Sequence, residues 1–456
     1  MKVCRLKTLA LILWGAILGL CVLFGVTAFA NQEVRSMFLP SPFQPGGTPS
    51  LVALPPGVTM TPSPAVYYLP SATARAATSM PVTTTPTPGA VLPVLQYSLT
   101  IPADMDPLTG LKPANADVLN RRPLAVKVST FPRGIVRPYQ SGLTRADVVY
   151  EYYIEDGLTR FIAVYYSKDA ERAGPVRSGR YFDEYIMRMY HAALVFANAD
   201  ERVEKHLLES DLMHLLFLPR DDNCPPLCRD TTIEGYNNVF VNTAGVGPKL
   251  SDNSHQDVRA SLFGALLYPM SVLPIKRVYT HYSVYSYNYW EYDPDNFNYK
   301  RYSDAADATS LAQDEVYAPH IDHLTGAQLT ADNVVVLFVP HIFHNEYDRA
   351  DQLIDINLTG TGDAYLFREG NMLKVKWVRD LVDQPIQLRD DNDHLVPLKP
   401  GVTYYQVIDP ESTLKQTGEN MEFFFYTPLR KVTPTPTPYG WNPTPTPRKS
   451  QKTPQK

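Results

Sequence analysis

The sequence is poor in cysteine. Of its four cysteines, Cys4 and Cys21 belong to the N-terminal segment, so only Cys224 and Cys228, in the stretch CPPLC, remain for the rest of the chain. A C-x3-C pair without a second pair or a nearby histidine cluster is a poor zinc motif, so we predict no metal site there. In an oxidising compartment we expect a disulfide between the two cysteines, which would stabilise only the short loop that it closes.

The sequence also has little excess of one charge over the other. The formal net charge is -5 over 456 residues, and the interior of the chain carries no long basic stripe. Proteins that bind nucleic acid use such stripes to neutralise phosphates, so charge gives no case for a nucleic-acid partner. The apolar fraction of 44% is sufficient for a buried core, and the length fits two or three domains.

Charged residues are absent from residues 8–30, directly after three basic residues. As a helix this run would be roughly 35 Å long, enough for a hydrocarbon core of about 30 Å. We therefore predict that residues 1–30 form an uncleaved, single-pass membrane anchor with the folded body outside the cytoplasm. Cleavage after Ala28-Phe29-Ala30 is the alternative, although the run exceeds the roughly 7–15 apolar residues of a secretory signal. Lipidation of Cys21 would need a small residue where Leu20 stands.

Two segments have low complexity. Residues 31–100 are rich in proline, threonine, serine and alanine, and we predict a disordered stalk because proline removes backbone donors and favours extended geometry. Residues 431–456 repeat this composition and end in a basic stretch. We expect a solvated tail, and loose attraction to an anionic wall polymer or lipid head groups is the alternative.

The region between the two low-complexity segments reads as two domains. In residues 101–270, strand-like and helix-like periods alternate; in residues 271–430, turn-bounded strands dominate. The predicted strands are 122–130, 146–154, 159–167 and 193–199 in the first half, and 284–293, 333–339, 363–370, 372–378 and 402–409 in the second. The predicted helices are 180–194 and 200–210. We predict an α+β or α/β fold, with an N-terminal α/β domain containing a mixed sheet and a mostly β C-terminal domain.

The candidate binding loop is GPVRSGR, residues 174–180, just before a predicted helix. Gly174 and Gly179 permit close backbone approach, and Arg177 and Arg180 supply guanidinium groups suited to phosphate or carboxylate. The predicted ligand-binding set is Arg160, Gly174, Arg177, Ser178, Gly179 and Arg180. The alternative is structural: Asp147, Glu151, Glu155 or Asp156 would neutralise both loop arginines and hold the loop in place.

Evidence for catalysis is weaker. Glu151 and Glu155 would lie on one face of a strand but about 13 Å apart, whereas glycoside hydrolysis needs carboxyl groups separated by about 5 to 9.5 Å. A hydrolase using this pair is therefore the alternative to binding. Two short clusters of metal-like side chains, His320/Asp322/His323 and His341/His344, have no feature that would bring them together, so we predict no metal and no cofactor.

Tyrosine is abundant, with 29 residues, and is dense between 279 and 302. We predict that Tyr285, Tyr287 and Tyr289 share one face of a strand and that most tyrosines pack in sheets. A minority exposed beside Trp290 or Arg301 could stack on sugar rings or contact a protein partner.

Several motifs occur in an order that resembles a known family. DPLTGL (106–111), RRPLAVKV and GLTRFIAVYYS, followed by GPVRSGR, resemble the N-terminal domain of the YerB-like lipoproteins of bacteria. NVVVLFV and LKPGVTYYQVI resemble the C-terminal domain of that family. The resemblance implies a two-domain envelope protein and no specific activity. Where members commonly carry Pro-His-Asn, this chain has GYNNVF, 235–240, so no role of that histidine is carried over.

The sequence thus predicts a membrane-tethered, extracytoplasmic binding protein of the bacterial cell envelope. The expected ligand is an anionic or sugar-containing envelope component bound near Arg177 and Arg180. The alternatives are a cell-wall hydrolase that uses acidic residues and a scaffold for an envelope protein complex. The expected partners are the membrane, through the N-terminal helix, and a wall polymer or another envelope protein.

Overall fold

The computed structural model describes residues 101–266, 271–345, 347–348 and 351–428. The predicted anchor (1–30), stalk (31–100) and basic tail (431–456) lie outside these residues. Among the helices within the described ranges, none is both long and apolar enough to cross a membrane.

Three α-helices occur in the described part of the chain, and two of them match the predicted helices. They are α1 (Arg133–Val136), α2 (Phe182–Tyr190) and α3 (Glu201–Glu209). Helix α2 buries Phe182, Ile186 and Met189, which recur at a helical spacing, and it ends at His191 in a left-handed conformation. Asp200 caps the N-terminus of helix α3, because its side chain accepts a hydrogen bond from the backbone N–H of Arg202 at 3.0 Å.

The strands fall on both sides of the predicted domain boundary. The N-terminal half contains β1 (Leu124–Ser129), β2 (Val148–Tyr153), β3 (Thr159–Tyr165), β4 (Ala193–Val195), β5 (Leu216–Phe217), β6 (Leu227–Arg229) and β7 (Val239–Val241). The C-terminal half contains β8 (Leu273–Pro274), β9 (Arg277–Ser283), β10 (Ser286–Asp293), β11 (Asn298–Asp304), β12 (Tyr317–Pro319), β13 (Thr330–Ala331), β14 (Asn333–Phe338), β15 (His341–Phe343), β16 (Ile354–Ile356), β17 (Gly360–Arg368), β18 (Asn371–Arg379), β19 (Gln387–Arg389), β20 (Thr403–Ile408), β21 (Thr413–Thr417) and β22 (Asn420–Phe424).

The larger sheet is mixed and takes strands from both halves. Its order is β19-β18-β17-β14-β20-β2-β3-β1-β4-β5, and β8 pairs with β18 at the side. Strand β20 lies between β14 and β2 and runs parallel to both, so it joins the two halves in one sheet. Strands β2, β3, β14 and β20 are buried along their whole length, which explains why they are rich in apolar residues and have no solvent-facing polar side.

The smaller sheet has the order β12-β11-β10-β9-β22-β21, with β13 paired to β11, and one face packs on the larger sheet. Contacts between the sheets include the rings of Trp290 and Tyr404, 4.7 Å apart. The prediction of an aromatic face on β10 is only partly right, because the pairing of β10 with β9 shifts between Ser286 and Tyr287. Tyr285 is exposed, Tyr287 is buried and Tyr289 is half-buried.

The described region confirms the predicted fold class: a mixed sheet with few helices, followed by a strand-rich C-terminal part. The predicted division into domains 101–270 and 271–430 stays a prediction. Trp290 and Arg301, which the sequence suggested as neighbours of exposed aromatics, are buried between the sheets. Their neighbours Tyr289 and Tyr302 are half-buried and stack with ring centroids 4.6 Å apart, so the suggested sugar-stacking surface stays a prediction.

Candidate functional site

The candidate loop, residues 174–180, is held by hydrogen bonds from its own backbone. The N–H of Val176 donates to the carbonyl of Val239 at 2.7 Å, and the N–H of Arg177 donates to the carbonyl of Lys127 at 3.1 Å. The Gly179 N–H donates to the Asn198 carbonyl at 2.8 Å. These amides are used inside the protein, so the groups that the loop offers to a ligand are chiefly side chains.

The two glycines serve packing within the protein. Gly174 has φ of 143°, and a Cβ there would lie 2.9 Å from the carbonyl oxygen of Val239. A Cβ at Gly179 would lie 3.2 Å from the ring of Phe196. Both positions thus favour glycine because the loop lies close to neighbouring segments.

The three arginines of the predicted ligand-binding set, Arg160 on β3 and Arg177 and Arg180 in the loop, differ in their partners. Arg180 forms a forked ion pair with Glu155, with Nε 3.0 Å from Oε2 and a second contact between Nη2 and Oε1. Arg177 donates from Nη1 to the carbonyl of Tyr236 at 3.4 Å, and Arg160 donates to the carbonyl of Ser178 at 3.0 Å. Within the described residues, neither Arg160 nor Arg177 has a carboxylate at ion-pair distance. Of the two loop arginines, Arg180 therefore has the acidic partner that the structural alternative predicted, and Arg177 has none among the described residues.

A buried lysine adds to this positive charge. Lys127 and Asp183 are both fully buried and lie 3.0 Å apart, and the hydroxyl of Tyr152 donates to Asp183 at 2.5 Å. Burial lowers the pKa of Lys127 to about 8; Asp183 opposes this shift, while Arg160 and Arg180 add to it. Burial, followed by the charge of Arg180, also lowers the pKa of Arg160.

We call Lys127, Arg160, Arg177 and Arg180 the cationic cluster. Among the described residues, Asp183 and Glu155 are the carboxylates within ion-pair distance of it. The cluster therefore keeps an excess of two formal positive charges in a largely buried place. Charges of one sign held together in a low-dielectric environment repel one another, so an anion at this position would be stabilised.

A cavity of about 580 Å³, the arginine cavity, opens beside the cluster. It is lined by Glu155, Ser178, Arg180, Ala199, Asp200, Arg202, Asn345, Asp348, Asp351, Gln352 and Leu353. Arg202 bridges two of these acids, lying 2.9 Å from Asp200 and 2.5 Å from Asp351. The lining therefore offers both donors and acceptors, a combination that suits a ligand with an anionic group and several hydroxyl groups.

A second cavity of about 620 Å³, the tyrosine cavity, is built by the same segments. Its lining is Tyr181, Glu184, Tyr185, Arg188, His206, His344, Asp355, Ile356, Asn357, Thr359, Arg379 and Val382. The ring of Tyr181 stacks on His344 with centroids 5.4 Å apart and meets His206 edge-on at 5.2 Å. Because Arg180 and Asn345 line the first cavity and their chain neighbours Tyr181 and His344 line the second, the two cavities are adjacent.

The carboxylates of the hydrolase alternative lie in different networks. Glu151 is 4% exposed and accepts hydrogen bonds from Arg301 at 2.7 Å and from Thr159 at 2.9 Å. Glu155 is paired with Arg180 and lines the arginine cavity. The structure places only Glu155 beside a cavity, and both carboxylates already hold arginine partners.

The remaining predicted positions have structural contacts. Cys224 and Cys228 are joined by a disulfide. His320 is buried with Nε2 bonded to Gln140, and Asp322 accepts hydrogen bonds from Gly142 and Thr144. Within the part of the chain that the structure describes, no three histidine, cysteine or acidic residues are grouped as metal ligands.

Two family profiles match the chain, one in each half of the fold. "Protein of unknown function (DUF3048) N-terminal domain" matches residues 108–256, and the C-terminal domain of the same family matches residues 278–405. The chain belongs to the DUF3048 family. The resemblance to YerB-like proteins that the motifs indicated is confirmed by the relatives of this DUF3048 chain.

One such relative is "Putative lipoprotein YerB" of Bacillus subtilis (strain 168), which is 27% identical over 324 residues, covering 69% of this chain and 89% of the relative. The crystal structure of the YerB protein from Bacillus subtilis superposes with a TM-score of 0.52 and 26% identity, over 67% of this chain and 96% of that one. These matches establish the fold of this DUF3048 member.

Sequence reasoning missed several residues at the site of this DUF3048 protein. Lys127 was not singled out, although a lone lysine in the strand LAVKVS needs a buried partner and is therefore a detectable signal. Asp200 and Asp351 line the arginine cavity from distant segments, and no spacing in the sequence connects them. Their contribution follows only from the fold.

Proposed function

We propose that this protein binds an anionic, sugar-containing component of the bacterial cell envelope at the cationic cluster. The observation that carries the proposal is the excess positive charge: Arg160 and Arg177 have no carboxylate partner within the described residues, while Arg160 is only 8% exposed. A guanidinium group recognises phosphate and carboxylate groups through two parallel hydrogen bonds. The anionic group of the ligand would therefore complete the charge balance of the cluster.

The arginine cavity supports a sugar as the rest of the ligand. The carboxylates of Asp200, Asp351 and Glu155 can accept hydrogen bonds from hydroxyl groups, and Asn345 and Gln352 can both donate and accept. Arg202 fixes the position of two of the acids. A polar lining of this kind gives orientation and specificity to a ligand rich in hydroxyl groups.

The proposed location is the outer side of the cytoplasmic membrane. The name of the Bacillus subtilis relative, and the apolar residues 8–30 after a basic flank, support membrane attachment. A single-pass anchor remains part of this proposal, since residues 1–30 lie outside the described ranges.

Calorimetric titration of the purified full-length protein tests the proposed function. Galacturonic acid and galactose serve as probes, because they differ chiefly in one carboxylate. We expect galacturonic acid to bind and galactose to bind at least about tenfold more weakly, since a charge-assisted hydrogen bond contributes roughly 1.5 to 3 kcal/mol. Arg177→Gln should lower the affinity for galacturonic acid by a similar factor.

The matched control is Arg145→Gln, at an exposed arginine outside both cavity linings. It should leave both affinities unchanged. If Arg177→Gln lowers the melting temperature strongly and leaves binding unchanged, the arginine has a structural role. Equal affinity for galactose and galacturonic acid, or no binding of either, would refute the proposal.

A further inference from the structure

The tyrosine cavity contains a buried cation of its own. Arg379 is 2% exposed and donates to the carbonyls of Leu358 at 2.7 Å, Gln384 at 3.1 Å and Val382. Within the described residues, no carboxylate lies at ion-pair distance from it. Three carbonyls fix the guanidinium group but supply no formal charge, so an anionic ligand group near this cavity would be stabilised.

Aromatic rings accompany this cation. The guanidinium carbon of Arg379 lies 5.4 Å from the centre of the Tyr185 ring, and the Tyr185 hydroxyl donates to Asn357 at 3.2 Å. Asp355 and Thr359 add a carboxylate and a hydroxyl group to the lining. Aromatic rings beside hydrogen-bonding groups suit a sugar ring, which has apolar C–H faces and polar edges.

The two cavities share the segments that form them. The chain passes from the arginine cavity to the tyrosine cavity at Arg180–Tyr181 and back to the arginine cavity at His344–Asn345. The stacked rings of Tyr181 and His344 stand at this junction. A ligand that filled one cavity would therefore reach the other by extending past a single ring pair.

We propose that the arginine cavity and the tyrosine cavity are consecutive subsites of one groove that binds an anionic glycan at least two sugar units long. This inference rests on the proposed function, because it takes the arginine cavity as the first subsite. It adds a repeating anionic polymer as the ligand class. Arg379 would attract the acidic group of the second unit, and Tyr181 and Tyr185 would contact its ring.

Chain length is the variable that tests the inference. Galacturonic acid and its di- and tetrasaccharide are titrated into the full-length protein at one ionic strength. We expect the tetrasaccharide to bind at least about tenfold more tightly than the monosaccharide, because occupation of a second linked subsite raises the overall affinity.

Val382→Trp isolates the second subsite. Val382 is 60% exposed and lines the tyrosine cavity, so a larger side chain would fill the entrance without disturbing the core. In this variant the affinity for the tetrasaccharide should fall to the affinity for the monosaccharide. The affinity for the monosaccharide should not change. The matched control is Val316→Trp, at a half-exposed valine in the smaller-sheet region.

Asn357→Asp is a second variant that does not depend on filling space. Asn357 is exposed and accepts from Tyr185, and an aspartate keeps this acceptor while adding negative charge to the tyrosine cavity. This variant should lower the affinity for the tetrasaccharide more than the affinity for the monosaccharide. Monosaccharide binding without any gain in the tetrasaccharide would overturn the inference and leave the proposed function standing. If galacturonic acid, its disaccharide and its tetrasaccharide all failed to bind, both this inference and the proposed function would be overturned.

Discussion

The ion pair between Glu151 and Arg301 gives the sharpest test of whether Glu151 is structural or catalytic. Glu151 lies on β2 of the larger sheet and Arg301 on β11 of the smaller sheet. Their side chains are 5% and 1% exposed and their charged atoms are 2.7 Å apart. The second partner of Glu151 on the smaller sheet is Asn288, at 3.2 Å. The carboxylate therefore connects the two sheets.

We expect Glu151→Gln to destabilise the fold strongly. Glutamine keeps the shape but removes the negative charge, so Arg301 stays buried without its carboxylate. Breaking a buried pair in this way costs about 3–5 kcal/mol of unfolding free energy. Replacing both partners, as in Glu151→Leu with Arg301→Met, should recover most of this loss because no unpaired charge remains.

Urea unfolding followed by circular dichroism and tryptophan fluorescence measures these effects. Trp290 is a local probe, since the guanidinium carbon of Arg301 lies 5.3 Å from its ring centre. The matched control is Glu209→Gln, whose side chain is 68% exposed and 3.9 Å from Lys205; we expect a change below about 0.5 kcal/mol. A loss under about 1 kcal/mol for Glu151→Gln would refute the structural role. Loss of glycan-degrading activity without loss of stability would favour the hydrolase instead.

Two further predictions concern pH. Burial lowers the pKa of His341 to about 4. Between pH 6.5 and 4 the unfolded chain therefore binds more protons than the folded protein. The free energy of unfolding should fall by up to about 3 kcal/mol as the pH falls through this range. Urea unfolding from pH 7 to 4 checks this, and His341→Leu should flatten the slope; an unchanged slope would contradict it. Burial lowers the pKa of Lys127 to about 8, so affinity for galacturonic acid should fall as the pH rises from 7 to 9, since an anion favours the protonated lysine. Calorimetry in two buffers of different ionisation enthalpy should detect proton uptake at pH 8, and no uptake would argue against coupling of Lys127 to the site.

Local sequence patterns were sufficient for the central strands and the two longer helices. The apolar-rich strands β2, β3 and β14 and the spacing of Phe182, Ile186 and Met189 in α2 are patterns within short windows of sequence, so they can be recognised without knowing which distant segments bury them. The position of β20 between β2 and β14 was not predictable, because pairing between distant segments leaves no period in a single sequence.

Local sequence also showed one feature of the candidate site, which itself stays a prediction. Arg177 and Arg180 stand in one short loop, so their proximity was visible. Whether each has an acidic partner depends on segments that are distant in the chain: Glu155 reaches Arg180, and no described carboxylate reaches Arg177. The glycines were expected to let a ligand approach the loop backbone closely. Instead the amides of Val176 and Arg177 bond to β7 and β1, and the Gly179 amide bonds to Asn198, because the loop lies against these segments.

The buried cations of the described region distinguish structural charges from those available to a ligand. Lysine and arginine are seldom buried without a partner, and the buried ones with a carboxylate at ion-pair distance are Arg122, Lys127, Arg180, Arg301 and Arg368. Arg160 and Arg379 are buried to the same degree and have none among the described residues. Arg160 bonds to Ser178 in the wall of the arginine cavity, and Arg379 lines the tyrosine cavity. The unmatched buried charges thus occur beside the two adjacent cavities. Unpaired buried cations are expected beside a cavity if a ligand in that cavity supplies the missing negative charge. If the cations were buried without any such role, nothing would place them beside cavities.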